Sequence, residues 1–109
     1  IRATGLHDGE SELGGQRIFV KGQSATLADG TIAGSVLTMD RAIANFTANT
    51  GCGVAAAVRC ATKIPAKSLG IYGKRGSLTS GKLADITIFK NAADIQKTIV
   101  RGKMVYNKS

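Results

Sequence analysis

The chain has 109 residues, 43% of them hydrophobic and 20% charged, with a formal net charge of +8. That length suits one domain or one piece of a larger domain, and the composition excludes a disordered chain. The longest apolar run, Cys52 to Val58, spans seven residues, whereas a membrane helix needs about 20, so a transmembrane helix is excluded.

The segment from Glu10 to about Ala33 predicts a β-meander. Gln16 to Lys21 alternates, with Ile18 and Val20 on one side and Arg17, Phe19 and Lys21 on the other. Ser24 to Ala28 alternates again, with Ala25 and Leu27 together. Gly14-Gly15, Lys21-Gly22 and Asp29-Gly30 mark the turns. A helical block follows from about Val36 to Leu69. Met39, Ile43, Phe46 and Thr50 form an amphipathic stripe. Ser35 is the expected cap of this first helix, and Gly51 its expected stop. A second helix carries Val54, Ala57, Val58 and Ala61 on one face. Pro65 ends it or opens a short third helix, which Gly70 closes. Leu83 to Phe89 then alternates as a strand. Ile95–Val100 and Met104–Tyr106 make a hairpin around Arg101-Gly102.

Charge is uneven along the chain. Residues 1–58 carry four basic and five acidic side chains, whereas residues 59–109 carry eleven basic and two acidic. A basic half can meet a nucleic acid or another anion, but here the basic residues are scattered singly, as on a solvated face. Only Tyr72, Phe89 and Tyr106 offer stacking rings nearby. Cys52 and Cys60 are eight residues apart. On a helix that spacing is about 12 Å, too long for a disulfide. Two free thiols suit a reducing, cytoplasmic setting, and both are expected as small buried hydrophobes. The chain opens on Ile1-Arg2 rather than Met, shows no signal peptide, and reads as an excised fragment.

Two glycine motifs imitate phosphate loops. Gly76 to Lys82 fits G-x-x-x-x-G-K, but Leu83 stands where Ser or Thr would hold Mg²⁺, and a strand rather than a helix follows. Gly51-Cys52-Gly53-Val54-Ala55-Ala56 follows a helical stripe instead of a strand, and reads as a helix-to-helix turn. The single histidine, His7, lies near Asp8, Glu10 and Glu12. These groups suit a cation, but a surface loop is the better account and no metal site is assigned. No nucleophile–base arrangement is legible.

Gly76-x-Leu78-x-x-Gly81-Lys82-x-Ala84-Asp85-Ile86-Thr87-Ile88-Phe89 resembles the C-terminal signature of the amidohydrolase superfamily. Other segments resemble consecutive pieces of the C-terminal third of its N-acetylglucosamine-6-phosphate deacetylase family. These are Asp8–Gln16, Leu27–Ser35 (L-A-D-G-T-I-A-G-S) and Leu37-Thr38-Met39, followed by Ala61-Thr62, Pro65-Ala66 and Leu69-Gly70. The likeness runs from Ile1 to about Tyr106. Two alternatives are a fragment of another, dihydroorotase-like amidohydrolase and a stand-alone basic module binding RNA or another anion. The T-I-A-G-S and L-T-M runs argue against the first of these.

The resemblance implies hydrolysis of the N-acetyl group of N-acetylglucosamine 6-phosphate to glucosamine 6-phosphate and acetate. In that family a Glu and two His hold a divalent metal, commonly Zn²⁺, which polarises the amide carbonyl and activates water. An Asp at the end of the eighth barrel strand moves the proton. That Asp is expected just upstream of Ile1 and the metal ligands further upstream, so no catalytic residue and no metal ligand is expected within this chain. Ile32, Ala33 and Gly34 match the family's substrate-contacting stretch. His7 stands where relatives often have Pro or Lys.

The implied fold is an α+β fragment of a (β/α)₈ barrel protein. Residues 1–70 would close the catalytic barrel, and residues 71–109 would supply strands of a small β-sandwich. Implied partners are the rest of the same enzyme, the sugar phosphate and a second copy in a homodimer. Neither nucleic acid nor membrane is an expected partner.

Overall fold

Alternation and tight glycine turns produce the first sheet in the computed structural model, which describes residues 3–109. Its strands are β1 (Gly9–Leu13), β2 (Gln16–Lys21), β3 (Ser24–Thr26) and β4 (Ile32–Gly34), antiparallel in the order β1-β2-β3-β4. Leu13 pairs with Gln16, so Gly14-Gly15 is a two-residue loop. Both glycines have positive φ, 60° and 79°, which matches the right-handed twist of the flanking strands. Ile18, Val20 and Ala25 point to one side and are buried with Ala3, with Leu13, Leu27, Ala33 and Val36 packed around them. This is the expected meander, and it forms a compact unit spanning Ile1–Thr38.

The second unit, Met39–Ser109, holds α1 (Met39–Thr50), α2 (Val54–Ala61), α3 (Lys63–Ser68), β5 (Ile86–Phe89), β6 (Ile95–Val100) and β7 (Lys103–Asn107). Its three strands are antiparallel in the order β5-β6-β7. The chain is therefore α+β, with sheet at both ends and helices between.

Ser35 does not cap α1. Its hydroxyl accepts the Leu37 N–H at 3.0 Å, a local turn that competes with the helix and delays it to Met39. Gly51 stops α1 as expected, at φ 69° with its N–H on the Thr47 carbonyl. Pro65 lies in the first turn of α3, where an N–H would have no helical partner. Gly70 ends α3: its N–H reaches the Lys67 carbonyl at 3.0 Å and the Ile71 N–H reaches the Ala66 carbonyl at 2.9 Å. That pair of bonds satisfies carbonyls the helix end would leave open.

The strand expected from Leu83 begins at Ile86 instead. Leu83 N–H bonds the Lys74 carbonyl at 3.0 Å and Asp85 N–H the Leu83 carbonyl at 2.9 Å, so this backbone is taken before any ladder can form. Neither cysteine is buried in this chain. Cys60 is exposed, Cys52 is half-buried, and both are free thiols. Both were expected to be buried, but α2 buries only Ala57 fully and turns Cys60 outward.

The β6–β7 hairpin closes on Arg101-Gly102, with Val100 opposite Lys103. Arg101 is the one non-glycine residue with positive φ among the described residues, at 49°. Asp85 holds this turn: its Oδ1 accepts the Arg101 N–H at 2.9 Å, its other oxygen meets the Arg75 guanidinium at 2.9 Å, and the neighbouring Ala84 carbonyl accepts Gly102 N–H at 3.0 Å. Asparagine tolerates this backbone better than arginine and keeps the N–H that Asp85 needs. Arg101→Asn should therefore raise unfolding free energy by about 0.5–1 kcal/mol. Urea denaturation of the two proteins measures it, and a loss of stability would refute the strain.

Candidate functional site

Ile32, Ala33 and Gly34 form β4, which stands at one end of the first sheet's strand order. The turn before β4 is built from its own sequence. The Asp29 carboxylate accepts the Thr31 N–H at 2.9 Å, and the Leu27 N–H bonds the Thr31 carbonyl at 2.8 Å. Gly30, at φ 87°, takes the backbone through a region other residues avoid. After β4, Thr4 donates its hydroxyl to the Ser35 carbonyl at 3.0 Å. Side-chain hydrogen bonds therefore fix both ends of the strand.

The strand itself carries a bulge. Ala25 pairs with Gly34 and Thr26 with Ile32, which leaves Ala33 as an extra residue opposite one step of β3. Bulges of this kind bend an edge and re-aim its side chains, often beside a ligand. Ala33 packs against the core, whereas Ile32 is 82% exposed. Gly34 has an ordinary φ, and a Cβ built on it would meet only Leu13 Cδ2, at 4.0 Å. Packing within this unit gives no reason for a glycine there.

Asp29 gives the turn a pH dependence. Its carboxyl is held below the ordinary aspartate range, first by the Thr31 N–H and then by the Thr31 hydroxyl. Because the folded value lies below the unfolded one, this support is present above the ordinary aspartate pKa, about 3.9, and is lost as pH falls through the folded value. The Thr31 amide resonance should titrate with a midpoint below 3.9, roughly the unperturbed value. Asp29→Asn should abolish that titration, and a midpoint at or above the ordinary value would contradict the assignment.

The second unit has an open hollow of about 770 Å³ between its helices and sheet. Ile43, Val58, Leu69, Ile86, Phe89 and Ile95 are among its walls, and its Arg75–Asp85 ion pair is the one that holds the hairpin. Large apolar side chains around it remain open, such as Leu69 at 72% and Leu78 at 77% exposure. The cavity is an apolar hollow and brings no catalytic pair together.

The loop from Gly76 to Lys82 is no phosphate cradle of the strand–loop–helix type, because the chain continues to β5. Gly76 is instead a contact point. At φ 87°, its Cα lies so close to α3 that a Cβ would fall 2.6 Å from Ala66 Cβ. Asp8 accepts the Gly22 N–H at 2.8 Å and Glu10 pairs with Arg17, so two of the three carboxylates near His7 stitch the β1–β2 region. No group of three or more His, Cys, Asp and Glu able to hold a metal occurs among the described residues.

Tyr72 is the functional candidate that sequence reading left as one of three rings. The ammonium groups of Lys63, Lys67 and Lys82 stand 5.8, 5.3 and 3.5 Å from its ring centroid. Lys82 also donates to the Tyr72 carbonyl. The phenol is held below its usual range, first by a hydrogen bond with Ser77 and then by the charges of Lys63, Lys82 and Lys67. Of this cluster only the Lys63–Lys67 pair, four apart on α3, could be read from spacing.

Residues 15–105 match the amidohydrolase family. The chain belongs to that family. N-acetylglucosamine-6-phosphate deacetylase of Bacillus subtilis is 39% identical over 97% of this amidohydrolase chain, which covers 27% of that relative. The crystal structure of N-acetylglucosamine-6-phosphate deacetylase from Pasteurella multocida matches 96% of the chain with a TM-score of 0.86 and 28% identity, over 28% of that structure. A mutant of the Mycobacterium smegmatis deacetylase, solved in complex with N-acetyl-D-glucosamine-6-phosphate, matches 94% of the chain with a TM-score of 0.77 and 30% identity, over 28% of its length. The chain thus spans about a quarter of the length of these relatives.

Proposed function

We propose that this amidohydrolase chain is the C-terminal quarter of a deacetylase that converts N-acetylglucosamine 6-phosphate to glucosamine 6-phosphate and acetate. One observation carries the reading. The D-G-T-I-A-G-S run, anchored at both ends and bulged at an edge, lies in a chain similar throughout to deacetylases, one of them solved with this sugar phosphate. In this reading residues 1–70 complete the catalytic (β/α)₈ barrel and residues 71–109 belong to the small β-sandwich. The apolar hollow and exposed side chains of the second unit support a role as one part of a larger fold.

The chain's own contribution to the reaction is positional. Gly34 leaves the backbone open to a sugar or acetyl group, Ala33 keeps the strand seated on its core, and Ile32 presents an apolar surface. The family's divalent metal, with zinc the expected ion, polarises the amide carbonyl when bound. In this reading its ligands come from the part of the enzyme upstream of this chain. Two free thiols suit a reducing cytoplasm, and a homodimer is carried over from the family resemblance.

The test compares the 109-residue chain with the protein encoded when its reading frame is extended upstream. The extended protein should release acetate from N-acetylglucosamine 6-phosphate, and the chain alone should show no turnover with or without Zn²⁺, since metal and base together supply most of such a rate. Turnover by the purified chain alone, or an inert extended protein with its metal bound, would overturn the reading.

A further inference from the structure

We infer that the Tyr72 cluster is a binding site for a compact phosphoryl dianion, inorganic phosphate or a phosphate monoester, held by Lys63, Lys67 and Lys82. Three ammonium groups converge within 5.8 Å of one ring centroid. None of the three forms an ion pair among the described residues; the ion pairs formed are Arg17–Glu10, Arg75–Asp85 and Lys108–Asp94. Asp85 and Asp94 are each committed to another cation. Like charges brought together repel, and the face of one aromatic ring offsets only part of that. A multivalent anion offsets it far better, because each ammonium brings three donors and the charge is shared over several oxygens.

The neighbouring loop adds neutral hydroxyl groups. Ser77 and Thr79 share a hydrogen bond at 3.0 Å. Cations and hydroxyls around a single ring suit one phosphoryl group. A polymer would call for a stripe of charge with several stacking rings. The site lies wholly within the second unit. It does not depend on the proposed reaction.

Tyr72 supplies a reporter within the cluster itself, its ring resonances in the tyrosine-labelled extended protein being assigned by their loss in Tyr72→Leu. Titration of that protein with inorganic phosphate, at ionic strength held constant with NaCl, should shift the Tyr72 ring resonances saturably and leave Tyr106 unmoved. Lys63→Gln together with Lys67→Gln should weaken binding by about tenfold or more. Tyr72→Leu, which leaves the charge unchanged but removes the ring that gathers the lysines, should weaken it similarly. Glucosamine 6-phosphate separates the two sources: equal affinity means that the phosphoryl group alone is recognised, and tighter binding means that a monoester is preferred. Either result supports the site. An absent or non-saturating shift, the same shift with NaCl alone, or full binding in the double lysine variant would overturn it. So would a random single-stranded oligonucleotide that occupies the patch and is not displaced by phosphate, since that marks a polymer-binding surface.

Discussion

Gly76→Ala should destabilise the chain by about 2–4 kcal/mol, the largest loss expected from any single added methyl here. Two costs combine. The φ of 87° is one that residues with a Cβ rarely adopt, and the new methyl would fall 2.6 Å from Ala66 Cβ and 3.2 Å from the Thr62 carbonyl oxygen. Neither neighbour can swing aside, because Ala66 is buried on α3 and Thr62 contributes backbone. Thermal or urea unfolding measures the loss. Ala66→Gly, costing about 1 kcal/mol on its own from helix propensity, should offset part of the loss when combined with Gly76→Ala. A double-mutant cycle with no coupling would show that the two residues do not meet as described.

Gly34→Val in the extended enzyme should have the opposite profile, with a large loss of kcat/KM and little loss of stability. A Cβ at this position finds only Leu13 Cδ2 at 4.0 Å, and the backbone is not in a glycine-only conformation. The unit therefore has room for a Cβ here, and in the proposed reading the added valine methyls would displace the sugar phosphate. A shift of about 1 Å in the reacting amide is enough for roughly a hundredfold loss in rate. Melting temperature and kcat/KM on the same purified protein decide it. A large fall in melting temperature with near-normal catalysis would reduce Gly34 to a structural position.

The elements that the sequence made legible are those whose cause is local. β2 and β3 follow from alternation and a tight glycine turn, and β6–β7 from alternation on either side of Arg101-Gly102, whereas the acidic stretch with Glu10 and Glu12 reads as a loop and forms β1 by pairing with β2. The Gly51 and Gly70 stops follow from the left-handed residue that ends many helices. What was missed depends on partners distant in sequence or on a local competitor. Leu83 to Asp85 reads as strand until Lys74 and Gly102 are known to claim its backbone hydrogen bonds. Ser35 reads as a helix cap until its hydroxyl is seen to favour the nearer Leu37 N–H. Gly76 looks like part of a phosphate loop because nothing in its own segment announces the approach of α3. At the candidate site, the D-G-T turn explains itself from three residues. The bulge at Ala33 is a property of pairing with β3 and has no signature in the strand. The resemblance pointed to Ile32–Gly34, and the geometry adds the reason that Gly34 is permissive.

Asp85 has a consequence for how relatedness is inferred. In the Gly-Lys-x-Ala-Asp run by which the chain resembles its superfamily, the aspartate clasps a hairpin turn and an arginine, and the lysine ties a loop to Tyr72. Each of these contacts fastens one part of the scaffold to another. A descendant that had lost every catalytic group would still need them to fold. The motif therefore traces ancestry, and its presence in a genome is no measure of how many working hydrolases that genome encodes.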